Sequence, residues 1–329
     1  MIRRQMGRGG PEVNAIGLGC MGMSAAYGEP METNEAVKLL HAALDRGVDH
    51  FDTAELYGFG ANETLLGEAF HDRREKAFIA TKFGPIGNLA ERTVRGVDGS
   101  EANMRRAIEQ SLRLLRTDYV DLYYLHRKDP SRPIEETVEA MAKLVQEGRV
   151  RAIGLSEVNA ETLRRAQAVH PIAAVQWEYS IFTRDVEAEV LPLCWDTGVT
   201  LVAYSPLGRG MLTGAFTRDR RPEGQDYRAV VSPRFQGEAY EANLQLVEEL
   251  GRVAEARGAT PSQVALAWVL ASKPNVVTIP GTTKLANLEA NLKAADVTLT
   301  SEEMARLDGL ADKVKGTRYD ERGMTLVNA

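Results

Sequence analysis

Eight short apolar runs, seven of them followed by a stretch of helical periodicity, constrain this chain more than any single residue does. The runs are Gly17–Met23, Val48–Asp52, Ala77–Lys82, Tyr119–His126, Val150–Ser156, Ile172–Gln176, Thr200–Tyr204 and Val276–Ile279. The spacing of Ala36, Leu39, Leu40, Ala43 and Leu44 predicts a helix from about Asn34. Further helices are predicted from near Glu63, from a Ser100 cap through Arg116, and over Ile134–Glu147. Others run on to His170, over about Val186–Thr197, and over Thr283–Ala294. The strand runs are continuously apolar rather than alternating, as when both faces of a parallel sheet are buried. Eight βα units predict a closed (β/α)8 TIM barrel; an open doubly wound sheet is the alternative. Residues 1–329 are of a size that one such domain fills. Two segments depart from the repeat. Ser205–Gly237 is a long connection rich in Gly, Arg and Pro, and connections of that length usually bind something or close over it. An extra C-terminal helix is expected over Ser301–Val314, followed by a polar tail, Lys315–Ala329.

Three of the runs end on residues that carry chemistry: Asp52, Lys82 and His126, with Tyr57 in the loop after the first of them. In a parallel barrel the carboxyl ends of the strands meet at one face. An acid, a phenol, an amine and an imidazole would then converge, which suits proton donation to a carbonyl. A cation beside a phenol lowers its pKa from about 10, so Lys82, held by Asp52, is expected to tune Tyr57 as a general acid. Each residue also has a plainer reading. Lys82 could leave the barrel toward water, Asp52 could cap a turn, Tyr57 could pack in its loop and His126 could be a satisfied core histidine. Their joint placement at strand ends favours the site.

Composition narrows the partners. The chain is 44% hydrophobic and 26% charged with a net charge of −6 and both signs interspersed, so no basic patch suggests nucleic acid. Two cysteines, Cys20 and Cys194, make no disulfide framework. The N-terminus lacks the apolar core of a secretory signal, and no apolar stretch spans a membrane. A cytoplasmic location is expected, with no nucleic acid, membrane or metal partner.

Two glycine-rich stretches need separating. Gly17-Leu18-Gly19-Cys20-Met21-Gly22 matches G-x-G-x-x-G, but Met23–Pro30 reads as a loop rather than the helix that a dinucleotide fingerprint opens. By contrast, Tyr204–Gly210 and Ile279–Lys284 follow the seventh and eighth runs, where barrels of this kind often hold phosphate. Two ordinary capped turns are the alternative.

Phe51–Gly58, Asn62-Glu63 through Gly67, Ala80–Lys82, Asp121–His126, Ile153–Ser156, Val175–Ser180 and Tyr204–Gly210 together resemble the aldo-keto reductases along essentially the whole chain. The branch with pyridoxal-reductase-like and auxin-induced-like members is the most similar. The resemblance implies NADPH bound without a Rossmann domain and a small-molecule carbonyl substrate, an aldehyde or ketone. It implies Tyr57 as proton donor tuned by Lys82 and Asp52, and His126 orienting the carbonyl. Ser156 and Gln176 would hold the nicotinamide carboxamide and Tyr204 would stack on its ring. Ser205, Pro206, Leu207, Gly208 and Gly210 would follow the pyrophosphate. Gly281, Thr282, Thr283, Lys284, Asn287 and Asn291 would surround the 2′-phosphate and adenine, with Gly19, Met21 and Asp52 at the cofactor's edge. Tyr27, Phe83, Arg127, the Arg209–Gly237 loop and the tail around Tyr319 would wall the substrate pocket. Three positions depart from the family pattern: Glu157 stands where Asn is frequent, Thr283 where a basic residue is common, and Ala290 where a glutamate often meets adenine. Two rival functions share the barrel: a lyase using a Lys82 imine, and a non-catalytic cofactor-sensing subunit.

Overall fold

A computed structural model describes residues 1–24, 27–88, 93–224 and 226–328. Ala25 and Ala26 of the expected loop, Gln225 of the expected binding loop and Ala329 of the tail lie outside the described residues. In chain order the strands are β1 (Arg3–Gln5), β2 (Glu12–Asn14), β3 (Leu18–Gly19), β4 (His50–Asp52), β5 (Phe78–Phe83) and β6 (Pro85–Asn88). They continue with β7 (Thr93–Val97), β8 (Val120–Leu125), β9 (Val150–Ser156), β10 (Ala174–Glu178), β11 (Thr200–Tyr204) and β12 (Val276–Thr278). The helices are α1 (Thr33–Asp45), α2 (Ala61–Phe70), α3 (Glu101–Leu115), α4 (Ile134–Gln146), α5 (Ala160–Val169) and α6 (Val190–Thr197). They continue with α7 (Tyr227–Val231), α8 (Gly237–Ala256), α9 (Pro261–Ser272), α10 (Leu285–Leu292), α11 (Ser301–Asp308) and α12 (Glu321–Met324).

Eight strands form one sheet in the order β12-β11-β10-β9-β8-β5-β4-β3, every pair parallel. Parallel bridges Ile16↔Thr278 and Gly19↔Gly281 join its two edges. The fold is therefore the closed (β/α)8 barrel, not the open sheet. The side-chain period of two splits each strand between lumen and helix layer. Ala80, Leu122, Tyr124, Ala174, Val202 and Val277 fill the lumen. Phe51, Ile79, Phe83, Tyr123, Leu155 and Trp177 face the helices. The β1–β2 hairpin seals the amino-terminal end. It sends Met6 and Val13 into the lumen cluster, Thr200 Oγ1 donates to the Gln5 carbonyl at 2.8 Å, and Gly7 N–H donates to Thr200 Oγ1 at 2.8 Å. With that end plugged, the carboxyl ends of the strands are left as the open face.

Several elements differ from the sequence expectation. The seventh strand has helices after all: α8 and α9 lie between β11 and β12, in the stretch without an assigned helix. α8 buries Val247, Leu250, Val253 and Ala254 at helical spacing. α9 opens on a capping box, Thr260 with Gln263, and Pro261 in the first turn. β10 is shifted toward Glu178, β5 runs one residue further to Phe83, and β8 stops at Leu125, one short of His126. α11 is capped by Thr300 with Glu303 and ends at Asp308, and a short 3-10 turn, Ala311–Lys313, carries the chain on toward Val314. β6 and β7 add an antiparallel hairpin beside the barrel mouth. Among the described residues no helix is long and apolar enough to cross a membrane.

Between α2 and β5 lies a buried carboxyl that the fold favours in its protonated form. Glu63 is fully buried; its Oε1 accepts from Thr81 Oγ1 at 2.6 Å, and Oε2 has no partner. Burial first of all pushes this carboxyl up from 4.5 to about 7. Below about pH 4.5 folded and unfolded chains are both protonated there. Between about 4.5 and 7 the unfolded chain gives up the proton while the fold keeps it, so stability falls as pH rises through that window. Glu63→Gln keeps the bond from Thr81 and removes the ionisation. Relative to wild type it should gain roughly 3 kcal/mol between pH 4.5 and pH 8, read from urea unfolding at both pH values. Parallel pH dependences in the two proteins would rule this account out.

Candidate active site

The centre of the open face is Lys82, the inward residue one before the end of β5, fully buried. Its ammonium lies 2.5 Å from Asp52 Oδ1, 2.7 Å from the Thr53 carbonyl oxygen and 3.5 Å from the Tyr57 hydroxyl. The three donors of a lysine are thereby all used. Asp52, at the end of β4, gives its other oxygen to Gln176 Nε2 at 2.8 Å. The pairing of β4 with β5 places these side chains together.

Tyr57 reaches this cluster because the chain reverses behind it. Gly58, Phe59 and Gly60 take φ of 58°, 51° and 95° in succession. The left-handed region suits the two glycines and strains Phe59. Asn62 ties the turn down: it accepts from Thr53 Oγ1 at 2.7 Å and donates to the Cys20 carbonyl and to Ser24 Oγ, both at 2.9 Å. His126, just past β8, sets its ring edge-on to Tyr57, with centroids 5.9 Å apart and planes at 84°. The four residues expected at one point are brought to one point.

The expected electrostatics need correction. Burial, and then the Asp52 charge, push the Tyr57 phenol well above its usual value, while Arg127 opposes the rise. Lys82, its charge matched at 2.5 Å by Asp52, does not outweigh burial and the Asp52 charge, so the phenol is displaced upward on balance. Burial lowers the Lys82 ammonium, against the pull of Asp52. Burial, then Arg127 and Lys82, hold His126 well below the usual imidazole value, so its ring is neutral; among the described residues its Nδ1 has no partner.

The expected cofactor residues line the same face. Ser156 pairs in register with Gln176, and its Oγ accepts from Arg127 Nη1 at 3.1 Å. Tyr204 closes β11; its hydroxyl donates to Glu157 Oε1 and meets Tyr319 Oη, each at 2.8 Å. Ser205, Gly208 and Gly210 have φ of 48°, 56° and 96°, a run of turned backbone that also holds Pro206 and Leu207. Gly19 lies against Gly281 across the barrel seam, and Met21 sits in the turn that follows β3. Thr282 Oγ1 accepts from Lys284 N at 3.0 Å. Thr283, Lys284 and Asn287 are exposed and Asn291 is buried. Among the described residues no side chain caps α10; the Asn287 amide turns back to the Lys284 carbonyl, and the Leu285 and Ala286 amides are left to meet an anion. Of the expected pocket walls, Tyr27 lies under the Arg228 guanidinium at 4.8 Å. Phe83 is not a wall: it stacks on Tyr123 at 5.0 Å in the helix layer, since alternation turns it opposite to Lys82.

The sequence reading missed a buried ion network over this mouth. Glu157, at φ 55°, takes Arg318 at 2.8 and 3.0 Å and accepts from the Glu178 amide at 3.0 Å. Arg209 reaches Glu178 at 2.8 Å and the Arg318 carbonyl at 2.5 Å, with its guanidinium 4.3 Å from the Tyr319 ring. Burial would raise the Glu178 carboxyl, yet Arg209, Arg318 and Arg234 hold it below the usual range. The tail read as a polar extension is thus clamped into the barrel. Glutamates at the ends of apolar runs were the available signal; their partner lies 161 residues from Glu157.

Known proteins place this geometry. Residues 15–312 match the sequence profile of the Aldo/keto reductase family. "Probable aldo-keto reductase 1" of Glycine max is 44% identical over 306 residues, covering 92% of this chain and 87% of that protein. The glycerol dehydrogenase AKR11B4 from Gluconobacter oxydans superposes with a TM-score of 0.85 at 31% identity, over 97% of each chain. An aldo-keto reductase from Klebsiella pneumoniae, solved in complex with NADPH, gives a TM-score of 0.74 at 30% identity, over 97% of this chain and 99% of that one. With a closed barrel whose carboxyl-terminal mouth gathers Asp52, Tyr57, Lys82 and His126, the chain belongs to the aldo/keto reductase family.

Proposed function

We propose that this protein reduces an aldehyde or ketone to an alcohol with NADPH, using Tyr57 as proton donor. The observation that carries the reading is the buried cluster of Lys82, Asp52, Tyr57 and His126 at the open end of the barrel. When bound, the nicotinamide supplies the hydride that the carbonyl carbon receives. Tyr57 is held protonated and gives that proton to the carbonyl oxygen. The phenolate left behind is stabilised by Lys82 at 3.5 Å and by the Arg127 charge. Asp52 keeps Lys82 in place. His126 is neutral, and a buried orphan N–H is rarer than an orphan acceptor. Its unpartnered Nδ1 is therefore assigned as the bare nitrogen, with Nε2–H directed to the substrate oxygen.

The residues around this cluster fit the cofactor. The Gln176 amide donates to Asp52, so its Oε1 remains for the carboxamide N–H. Ser156 accepts from Arg127 and keeps its own proton to donate. Tyr204, tethered through its hydroxyl, presents its ring to the nicotinamide. Ser205, Pro206, Leu207, Gly208 and Gly210 hold the pyrophosphate. Gly281, Thr282, Thr283, Lys284, Asn287 and Asn291, with the amides of α10, hold the 2′-phosphate and adenine, and Gly19 and Met21 lie at its edge. Residues 1–329 act as one catalytic unit, because the tail re-enters the mouth through Arg318. Lys82 has each of its three donors engaged, which weighs against an imine.

Two substitutions test this. Tyr57→Phe should keep the fold, judged by circular dichroism, and lose at least ~100-fold in turnover of aldehydes, with NADPH affinity little changed. Wild-type turnover would remove Tyr57 from the role. Lys284→Ala should weaken NADPH binding by about ten- to a hundredfold, the worth of one charge-assisted contact, and leave NADH nearly unaffected in fluorescence titrations. Equal losses for both cofactors would mean that Lys284 supports its loop rather than the phosphate.

A further inference from the structure

Most arginines at the mouth of the barrel have carboxylates against them: Arg209 and Arg234 with Glu178, Arg318 with Glu157 and Arg228 with Asp226. Arg127 has none. It directly follows His126, and its Nη1 donates to the His126 carbonyl oxygen at 2.7 Å and to Ser156 Oγ at 3.1 Å. Both acceptors are neutral, and one nitrogen serves both. Among the described residues nothing bonds its Nη2 or Nε. Arg127 is only partly exposed, and its charge interacts with Tyr204, Tyr319, Glu157 and Tyr57, the Glu157 carboxylate being already bonded to Arg318. An arginine cannot shed its proton to relieve such a position. A cation drawn out of water without a counter-ion is costly unless a ligand completes the pair.

The free edge has a shape. With Nη1 spent on the protein, Nε–H and Nη2–H remain as a two-pronged donor pair, the fork that matches a carboxylate. It belongs to the residue adjoining His126, whose ring meets Tyr57. The guanidinium bonds Ser156 and acts on Tyr57 and Tyr204, so it borders the space that a carbonyl held between Tyr57 and His126 would occupy. We propose that Arg127 is a specificity residue that binds an anionic group next to the reacting carbonyl, so that 2-oxo acids are the preferred substrate class. This rests on the placement of the carbonyl at Tyr57 and His126. The anion is a spectator in the reaction: hydride adds to the keto carbon, Tyr57 protonates its oxygen, and the carboxylate is unchanged.

The test compares benzoylformate with its methyl ester, and uses benzaldehyde as the simple aldehyde. The readout is the acid-to-ester ratio of kcat/KM with NADPH. Whatever Arg127 does for folding or for cofactor binding acts on both substrates and cancels in that ratio. Wild type should favour the acid. Arg127→Gln should cut the ratio by about ten- to a hundredfold, the worth of a charge-assisted contact, mainly through KM, and Arg127→Lys should restore part of it. Independently of turnover, oxamate, an unreactive isostere of a 2-oxo acid, should raise the melting temperature of wild type with NADP+ bound and fail to do so for Arg127→Gln. An unchanged ratio in Arg127→Gln, or no acid preference in wild type, overturns the proposal. If Arg127→Gln does not fold, the wild-type ratio and the oxamate response still decide it. Should wild type reduce neither the ester nor benzaldehyde, the carbonyl site itself is misassigned. If both are reduced without preference for the acid, only the anion subsite falls.

Discussion

A lysine ammonium sealed inside a barrel depends on what surrounds it, and most of this site follows from how Lys82 is satisfied. Desolvation of a charge is expensive, and an ion pair offsets it only with close geometry and every donor met. Asp52, the Thr53 carbonyl and Tyr57 provide this. Each depends on something larger. Asp52 and Lys82 come together because β4 and β5 are parallel neighbours. Thr53 is fixed through Asn62 to the loop after β3. Gln176 reaches the same carboxylate from the far side of the lumen, so the ion pair also braces the barrel across its width.

The rest of the mouth repeats that solution with alternating signs. Beyond Lys82 and Asp52 come Arg127, Glu157, Arg318, Glu178 and Arg209, linked by ion pairs or by shared tyrosine and serine hydroxyls. The carboxylates of this ring are saturated by protein donors. The cationic edge of Arg127 is not, which gives the mouth an affinity for anions although the molecule as a whole carries a net charge of −6.

Where the sequence was informative, a strong local rule applied. Apolar runs of strand length, helical spacing and the chemistry at strand ends led to the barrel and to the four clustered residues, because burial and strand direction leave few arrangements for them. Phe83 was misassigned for a local reason too: next to an inward Lys82, alternation turns it outward. α8 and α9 were passed over although their caps and spacing are visible, because the glycine- and arginine-rich stretch before them reads as loop. The altered tuning of Tyr57 could not be read at all. It depends on burial and on the distances among three charges, which no linear pattern encodes. Nor could the partner of Glu157 be read, since long-range ion pairs leave no periodic trace.

The clamp between Glu157 and Arg318 also orders events in time. A chain made from its amino end at about 5–20 residues per second produces all eight strands well before Arg318. Until that residue emerges, closing the mouth would seal Glu157 away without its counter-ion, with Glu178 lacking part of its own. A chain cut short before this arginine would keep Asp52, Tyr57, Lys82 and His126 together and yet leave Glu157 buried without its counter-ion.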